Sequence, residues 1–433
     1  MTSRPSLRQA LGALTYGNYR RFAVSLLLTS LGVQLLQTSI LWQVHEITGS
    51  ALLLGLTGLA RALPHMALSL VGGVIADRVD RVRLIQIGQV ANAVLVLALA
   101  SLTFTGAVEI WHLYLITVLN SSFTALTQPA RTALIPWLIP QGNLVNAVAL
   151  NATISQVSQI AGPAAAGVTI ATLGLGSAYA LNGALYGLAM VSILWIRAPV
   201  PRASDGESPW RSLLDGLIFV RSKPVIISLL ALDASATVLG SYRALLPIFA
   251  TRLGVGAEGY GLLSAAPGIG SVVGAAVLLS LGDMRYKGLY TLFGVLAYSF
   301  ALVLLALSPW FLLTLVAAGL LGTTNSVQMI PRNSAILTIS PDSLRGRVEA
   351  FRSMLAGGGT PLGYMLSGGL AAAIGPPLAL LVGASACALF VVGIGLKRRE
   401  LRDPELGTAK DPDRVQAAGV IESESGPAGA RRP

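Results

Sequence analysis

The strongest constraint in this sequence is its apolar segmentation. From Phe22 onward, predominantly apolar runs recur, each near the roughly 20 residues that a spanning α-helix needs. Twelve segments are predicted: 22–44, 52–76, 84–105, 111–134, 147–173, 178–196, 225–250, 259–281, 288–307, 309–330, 350–374 and 378–396. Between and beyond them lie short loops, one longer polar connection and a polar tail. Only 11% of the 433 residues are charged, against about 25% in soluble proteins, and 54% are hydrophobic. A soluble fold has no polar exterior to draw from such a supply. A soluble enzyme, a secreted disulfide scaffold and a disordered chain are thereby excluded. The single cysteine, Cys387, forms no intrachain disulfide and reads as a small packed residue.

The charges orient the chain. The net charge of +11 would suggest nucleic acid in a soluble protein. In a membrane protein, cation-rich loops stay cytoplasmic. All but Arg61, Arg243 and Arg252 of the 30 cations fall on the side of the two chain ends and the even-numbered connections. Both termini are therefore predicted to be cytoplasmic, in a bacterial cytoplasmic membrane. The N-terminal residues carry Arg4, Arg8, Arg20 and Arg21 and then a segment too long for a signal-peptide core.

The two halves echo each other. Gly73-Val-Ile-Ala-Asp77-Arg78-Val-Asp80-Arg81 ends helix 2, and Leu281-Gly282-Asp283-Met-Arg285-Tyr-Lys287 ends helix 8. Gln128-Pro129-Ala-Arg131 is matched by Ile330-Pro331-Arg332-Asn333, and Gly162-Pro163 by Gly359-Thr360-Pro361-Leu362-Gly363. Related repeats around a central cavity are the build of many secondary transporters. The expected class is an all-α membrane protein with twelve transmembrane helices in two pseudo-symmetric six-helix bundles, 22–196 and 225–399. A cytoplasmic segment 1–21 precedes them, and a disordered cytoplasmic tail, 400–433, follows. A linker at 197–224 joins the bundles. Within it, Ser208-Pro209 followed by Trp210, Leu213, Leu214, Leu217 and Ile218 predicts a short interfacial helix.

These motifs resemble the major facilitator superfamily over nearly the whole chain, from Tyr16 to Arg399. The superfamily's loop signature after helix 2, Gly-x-Leu-Ala-Asp-Arg-x-Gly-Arg-Lys, is similar to Gly73 through Val82, with Asp80 in place of the second glycine and Val82 in place of the lysine. Gln128-Pro129-Ala130-Arg131, Leu144-Val-Asn146-Ala147 with Leu150-Asn151, Gly162-Pro163 and Leu344-Arg345-Gly346-Arg347-Val348 resemble the branch of enterobactin exporters and macrolide-efflux-like proteins. Members of that branch often carry Gly-Asp in helix 1; this chain has Gly32-Val33.

The resemblance implies a major facilitator fold, with Gly73, Asp77, Arg78 and Arg81 as a conformational-switch motif facing helix 11. It implies an antiporter-like motif at Gly162, Pro163 and Gly167. In physical terms, Asp77 is a carboxylate at a helix C-terminus, unfavourable against the dipole unless cations or another helix N-terminus offset it. Gly162-Pro163 removes a backbone hydrogen bond, and Gly167 permits close helix approach.

Polar residues inside the spans are the candidate working parts. Asp233 is the one carboxylate placed well inside, where an acid faces a cavity or a partner. It is the proton-coupling candidate, with a structural pair to Arg131 or Arg332 as the alternative. His65, mid-helix, is a second titratable candidate. Arg61 and Arg243 are positioned to attract an anionic group or to gate the outer side. Gln34 and Gln37 on helix 1, Asn151, Ser155 and Gln159 on helix 5, and Asn325 and Gln328 on helix 10 form uncharged polar faces suited to a water-filled path.

The function expected is secondary active transport by alternating access: proton-driven export of an amphipathic small molecule, drug-like or siderophore-like. The alternatives are an uncoupled facilitator or lipid flippase, and a non-transporting scaffold or sensor. The expected partners are a small-molecule substrate, protons and membrane lipids, with no nucleic acid, and the chain is expected to be a monomer. Gly254-Val-Gly256-Ala-Glu-Gly259 lacks the strand–turn–helix setting of a nucleotide loop. No Gly-Lys pair is present to build an ATP-binding loop, and no zinc or hydrolase motif occurs. No catalytic residue, metal or cofactor is expected.

Overall fold

A computed structural model describes residues 11–196, 217–282, 284–341 and 344–403. The linker helix expected around Trp210 and the tail beyond residue 403 lie outside the described residues, as does the side chain of Asp77.

The described chain is helical throughout. Helices α1 (Gly17–Thr48), α2 (Ala51–Arg78), α3 (Arg81–Phe104) and α4 (Ile110–Leu138) come first. A 50-residue run, Leu144–Ile193, is divided at Gly174 into α5 (144–173) and α6 (175–193). Gly174 has φ 81° and ψ 170°, a region only glycine enters without strain, so one residue makes the whole turn. After the linker come α7 (Pro224–Arg252), α8 (Gly256–Leu281), α9 (Lys287–Leu307), α10 (Phe311–Ile339), α11 (Arg345–Ile374) and α12 (Pro376–Lys397). Among the described residues, nine helices are long and apolar enough to cross a membrane, with Leu144–Ile193 counted as one.

Several helices outrun their apolar segments. α1 begins at residue 17 rather than 22, because Tyr19 and Phe22 are buried in a cluster with Ala130, Leu134 and Ala147. α10 runs to residue 339 rather than 330, because Arg332 is buried and paired rather than driven to water. Caps mark the turns. Ser50 accepts from the Leu53 amide at the start of α2, and Asp80 accepts from the amides of Val82 and Arg83 at the start of α3. Asp80, which departs from the superfamily signature, is thus the N-cap of α3.

The exterior is apolar and the interior partly polar, the reverse of a soluble protein. Leu279, Leu389 and Leu312 are 83%, 72% and 69% exposed, as suits side chains facing hydrocarbon. Inside, Gln89 of α3 donates to Ser25 and Thr29 of α1, and Tyr179 of α6 donates to Gln43 of α1. Buried polar groups find such partners because water is not there to serve them.

α1 begins and α12 ends at one end of the bundle, the terminal end. At the other, far end, two antiparallel helix pairs join the halves: α2 with α11, and α5 with α8. Both seams are made by glycine. A Cβ on Gly55 or Gly58 would lie 2.6 Å from Tyr364 atoms, and one on Gly167 would lie 2.6 Å from the Cα of Gly261. Nearer the terminal end, Gly73 of α2 and Gly357 of α11 face open space.

α7 is interrupted below this closure. A π turn at Ser235–Leu239 and a 3-10 turn at Arg243–Leu245 separate Pro224–Ala234 from Leu246–Arg252. The Gly240 carbonyl freed by the break accepts from the Tyr298 hydroxyl at 2.9 Å. Irregular backbone at membrane depth is tolerated where protein satisfies it or a cavity adjoins it, and here both hold.

Candidate functional site

Two adjoining cavities occupy the middle of the bundle, of about 590 and 280 Å³. They share Val33, Gln37, Arg61, Thr124, Thr360 and Tyr364. The larger is polar, lined by hydroxyl and amide side chains of α1, α3, α4 and α5 with three arginines. The smaller adds Leu36, Ile40, Leu41 and Ala62, an apolar chamber with His65 at its edge. A third, small cavity at Gln34, Pro163 and Tyr260 adjoins them.

Helical spacing creates this lining. Ser30, Gln34 and Gln37 lie on one face of α1, and Ser155 and Gln159 lie on one face of α5. Gln37 is the junction. Its Oε1 accepts from Arg61 of α2, and its Nε2 donates to the Tyr364 hydroxyl of α11 at 3.4 Å, so one side chain touches both halves. Arg61 is exposed, to the cavity. Arg243, held by the 3-10 turn of α7, lies against the phenol of Tyr242.

The structure brings Gln34, Gln37, Arg61, His65, Ser155, Gln159 and Arg243 to these cavities. Asn151 sits elsewhere, accepting from the buried Tyr19 hydroxyl at 3.1 Å. Asn325, Gln328 and Asp233 form a separate chain through Arg332. Arg332 Nη1 donates to Asp233 Oδ1 at 2.6 Å and to Gln328 Oε1 at 2.8 Å, and Gln328 Nε2 donates to Asn325 Oδ1 at 3.1 Å. Asp233 lines none of the three cavities.

The glycine and proline motifs act by shape. A Cβ on Gly162 would strike Gln34 Cβ at 2.5 Å, so this glycine sets the α1–α5 approach and the position of a cavity glutamine. The Pro163 carbonyl lies 2.8 Å from the Cβ position of Gly261. In the switch motif, Arg78 is exposed and Arg81 donates to the Ala133 carbonyl of α4 at 3.2 Å.

Sequence reasoning missed Arg131 and Tyr364 as cavity residues. Arg131 is 6% exposed and lines the larger cavity; its Nη2 reaches Thr29 Oγ1 at 3.5 Å, and its Nη1 is buried with no hydrogen-bond partner. The internal repeat contained a signal for it, since Arg131 follows Pro129 much as Arg332 follows Pro331. Tyr364 gave no signal, because an aromatic in an apolar helix reads as packing.

Comparison with known proteins agrees with this architecture. The family model described as transmembrane secretion effector matches residues 9–429. The enterobactin exporter EntS of Shigella boydii serotype 4 is 25% identical over 403 residues, covering 92% of this chain and 96% of that protein. EntS of Escherichia fergusonii is 26% identical over 379 residues, covering 86% and 88%. Among solved structures, the nucleoside transporter NupG superposes with a TM-score of 0.72 at 13% identity, covering 88% of this chain and 98% of that one. A D-xylose-proton symporter gives 0.68 at 12% identity, covering 88% and 97%.

Proposed function

The chain belongs to the transmembrane secretion effector family of major facilitator transporters, and from that premise we propose that it exports an amphipathic small molecule by alternating access. Members of this superfamily are secondary transporters, not enzymes, and the chain is an integral multi-pass membrane protein. The export direction follows the similarity to enterobactin exporters.

We further propose twelve crossings in two six-helix bundles. The nine candidate spans support this once the run Leu144–Ile193 is split at Gly174 and the long helices α4 and α11 are added. With both termini cytoplasmic, the far end faces outward and this conformation opens inward. A single chain holds both halves of the cavity, so a monomer suffices.

The observation that carries the proposal is the cavity: lined from both halves and bordered at the far end by the glycine seams that join them. Such seams part as units, which is what an alternating-access equilibrium requires. Proton coupling is assigned to Asp233. Its protonation would release Arg332 and loosen the tie between α7 and α10. One charge moving down 100 mV supplies about 2.3 kcal/mol, roughly a 50-fold solute gradient. A second reading, an uncoupled facilitator, is favoured by one fact: Asp233 lines none of the three central cavities.

The test is accumulation of a labelled compound panel in efflux-deficient cells, with wild type, Asp233→Asn and empty vector, each with and without a protonophore. Export by wild type alone, lost with the protonophore, supports coupling through Asp233. Export that survives both the substitution and the protonophore supports the facilitator. Wild type matching the empty vector across the panel overturns export.

A further inference from the structure

We propose that the central cavity is built for an amphipathic organic anion, its acid group held by Arg61, Arg131 and Arg243 and its apolar body in the chamber of Leu36, Ile40, Leu41 and Ala62. This rests on the transporter reading and names its substrate class.

The first ground is charge balance. All three arginines border the same cavity, and among the described residues no carboxylate lines it or its two neighbours. Among the described residues, none of the three makes an ion pair. Their partners are neutral: the Gln37 amide for Arg61, the Thr29 hydroxyl for Arg131 and the Tyr242 phenol for Arg243. An ionised group at membrane depth is costly unless an opposite charge meets it, and arginine stays protonated in proteins. A cationic solute entering here would add repulsion to an excess of positive charge; an anion would relieve it.

The second ground is the contrast between the two halves. In the second half, Arg332 after Pro331 is neutralised by Asp233 at 2.6 Å. In the first half, Arg131 after Pro129 meets the neutral Thr29 hydroxyl instead. The protein therefore cancels the charge on the side away from the cavity and keeps it on the cavity side.

The third ground is shape. Arg61 and Tyr364 stand where the polar and apolar chambers join, so an acid group at Arg61 leaves an attached ring or chain facing Leu36 and Ile40. Guanidinium groups also suit planar, two-oxygen recognition of carboxylate, sulfonate or phosphate.

The test is equilibrium binding to the purified full chain in neutral-lipid nanodiscs. The probe is radiolabelled naphthalenesulfonate, with naphthylmethanol and naphthyl-trimethylammonium as neutral and cationic competitors of the same ring. The sulfonate should bind at least about tenfold tighter than either. Arg61→Gln, Arg131→Gln and Arg243→Gln should each weaken it by about tenfold, and the lysine variants should restore part of that loss. Dodecyl phosphate as competitor distinguishes a lipid-like source from a ring-bearing one, and displacement by either anion supports the inference. Equal binding of the cation, or glutamine variants that all bind the sulfonate unchanged, overturns it. Variant folding is checked by monodispersity and unfolding midpoint, and the arginine that tolerates substitution best carries the comparison. Anion preference without transport would overturn the exporter reading and leave this one standing; export of cations without anion preference would do the reverse.

Discussion

Arg332 of α10 and Asp233 of α7 form a salt bridge of 2.6 Å with the arginine only 2% exposed and the aspartate 17%. Gln328 and Asn325 extend the pair along α10. Both bonds are made by Nη1, one to a carboxylate oxygen and one to an amide oxygen.

Breaking this pair from one side should cost more than removing it whole. A lone buried charge costs about 3–5 kcal/mol, whereas an apolar replacement of both partners is often neutral. Asp233→Ala is expected to lower the unfolding midpoint in detergent micelles, and Asp233→Leu combined with Arg332→Met is expected to recover most of that loss. If the double variant is as unstable as the single one, the two side chains are not an energetic pair. A stable double variant that no longer transports assigns the pair to coupling rather than to architecture.

The α5–α8 seam sets a second expectation. A methyl group on Gly167 would meet the Gly261 Cα at 2.6 Å and the Ala257 carbonyl at 2.8 Å, and backbone atoms cannot rotate away. Gly167→Ala should therefore push the far end apart. Overpacking costs about 1–3 kcal/mol, so the closed-to-open ratio should fall by about fivefold or more. Spin-label distances between α5 and α8 at the far end would report it. An unchanged distance distribution in the alanine variant would show that the seam is not tight enough to govern closure.

Much of the fold was legible because a bilayer leaves so few solutions. Apolar length gave the order of the helices, and the repeats suggested two related halves. The helix ends were less legible, because tertiary partners decide how far a helix runs past its apolar stretch. Tyr19 lengthens α1 at one end, and the Arg332 pair carries α10 beyond Pro331. For the site, periodicity found Gln34, Gln37, Ser155 and Gln159, since a shared face is a local property. It could not separate Asn325 and Gln328 from them, because which way a polar face turns depends on neighbouring helices. Arg131 escaped for the same reason: its position near the end of α4 reads as a loop-facing cation until α1 and α5 are placed around it.

Cys387 offers a check on packing around the α7 break. It is 0% exposed, and its Sγ lies 3.8 Å from Ser235 Oγ at the start of the π turn. A maleimide should label it only after denaturation, and Cys387→Ala should leave transport unchanged and so provide a cysteine-free background for spin labels. Rapid stoichiometric labelling of the folded protein would mean that α12 parts from α7 in the native ensemble.

Gln37 tests how the two halves communicate across the cavity. It accepts from Arg61 of α2 and donates to Tyr364 of α11 at 3.4 Å. Removing the phenol oxygen in Tyr364→Phe deletes a long, neutral hydrogen bond beside water-accessible space, a net loss of about 0.5–1.5 kcal/mol. Removing the amide in Gln37→Leu also takes away the protein acceptor for a charged guanidinium, and hydrogen bonds to charged groups are worth about 1.5–3 kcal/mol. The leucine variant should therefore lower both stability and transport more than the phenylalanine variant, with unfolding midpoints and initial export rates as the two readouts. Because Arg61 belongs to one half and Tyr364 to the other, a double-mutant cycle between Arg61→Gln and Tyr364→Phe isolates the relay. Non-additivity that disappears in the Gln37→Leu background identifies Gln37 as the link, while additive losses would mean the two residues act on the cavity separately.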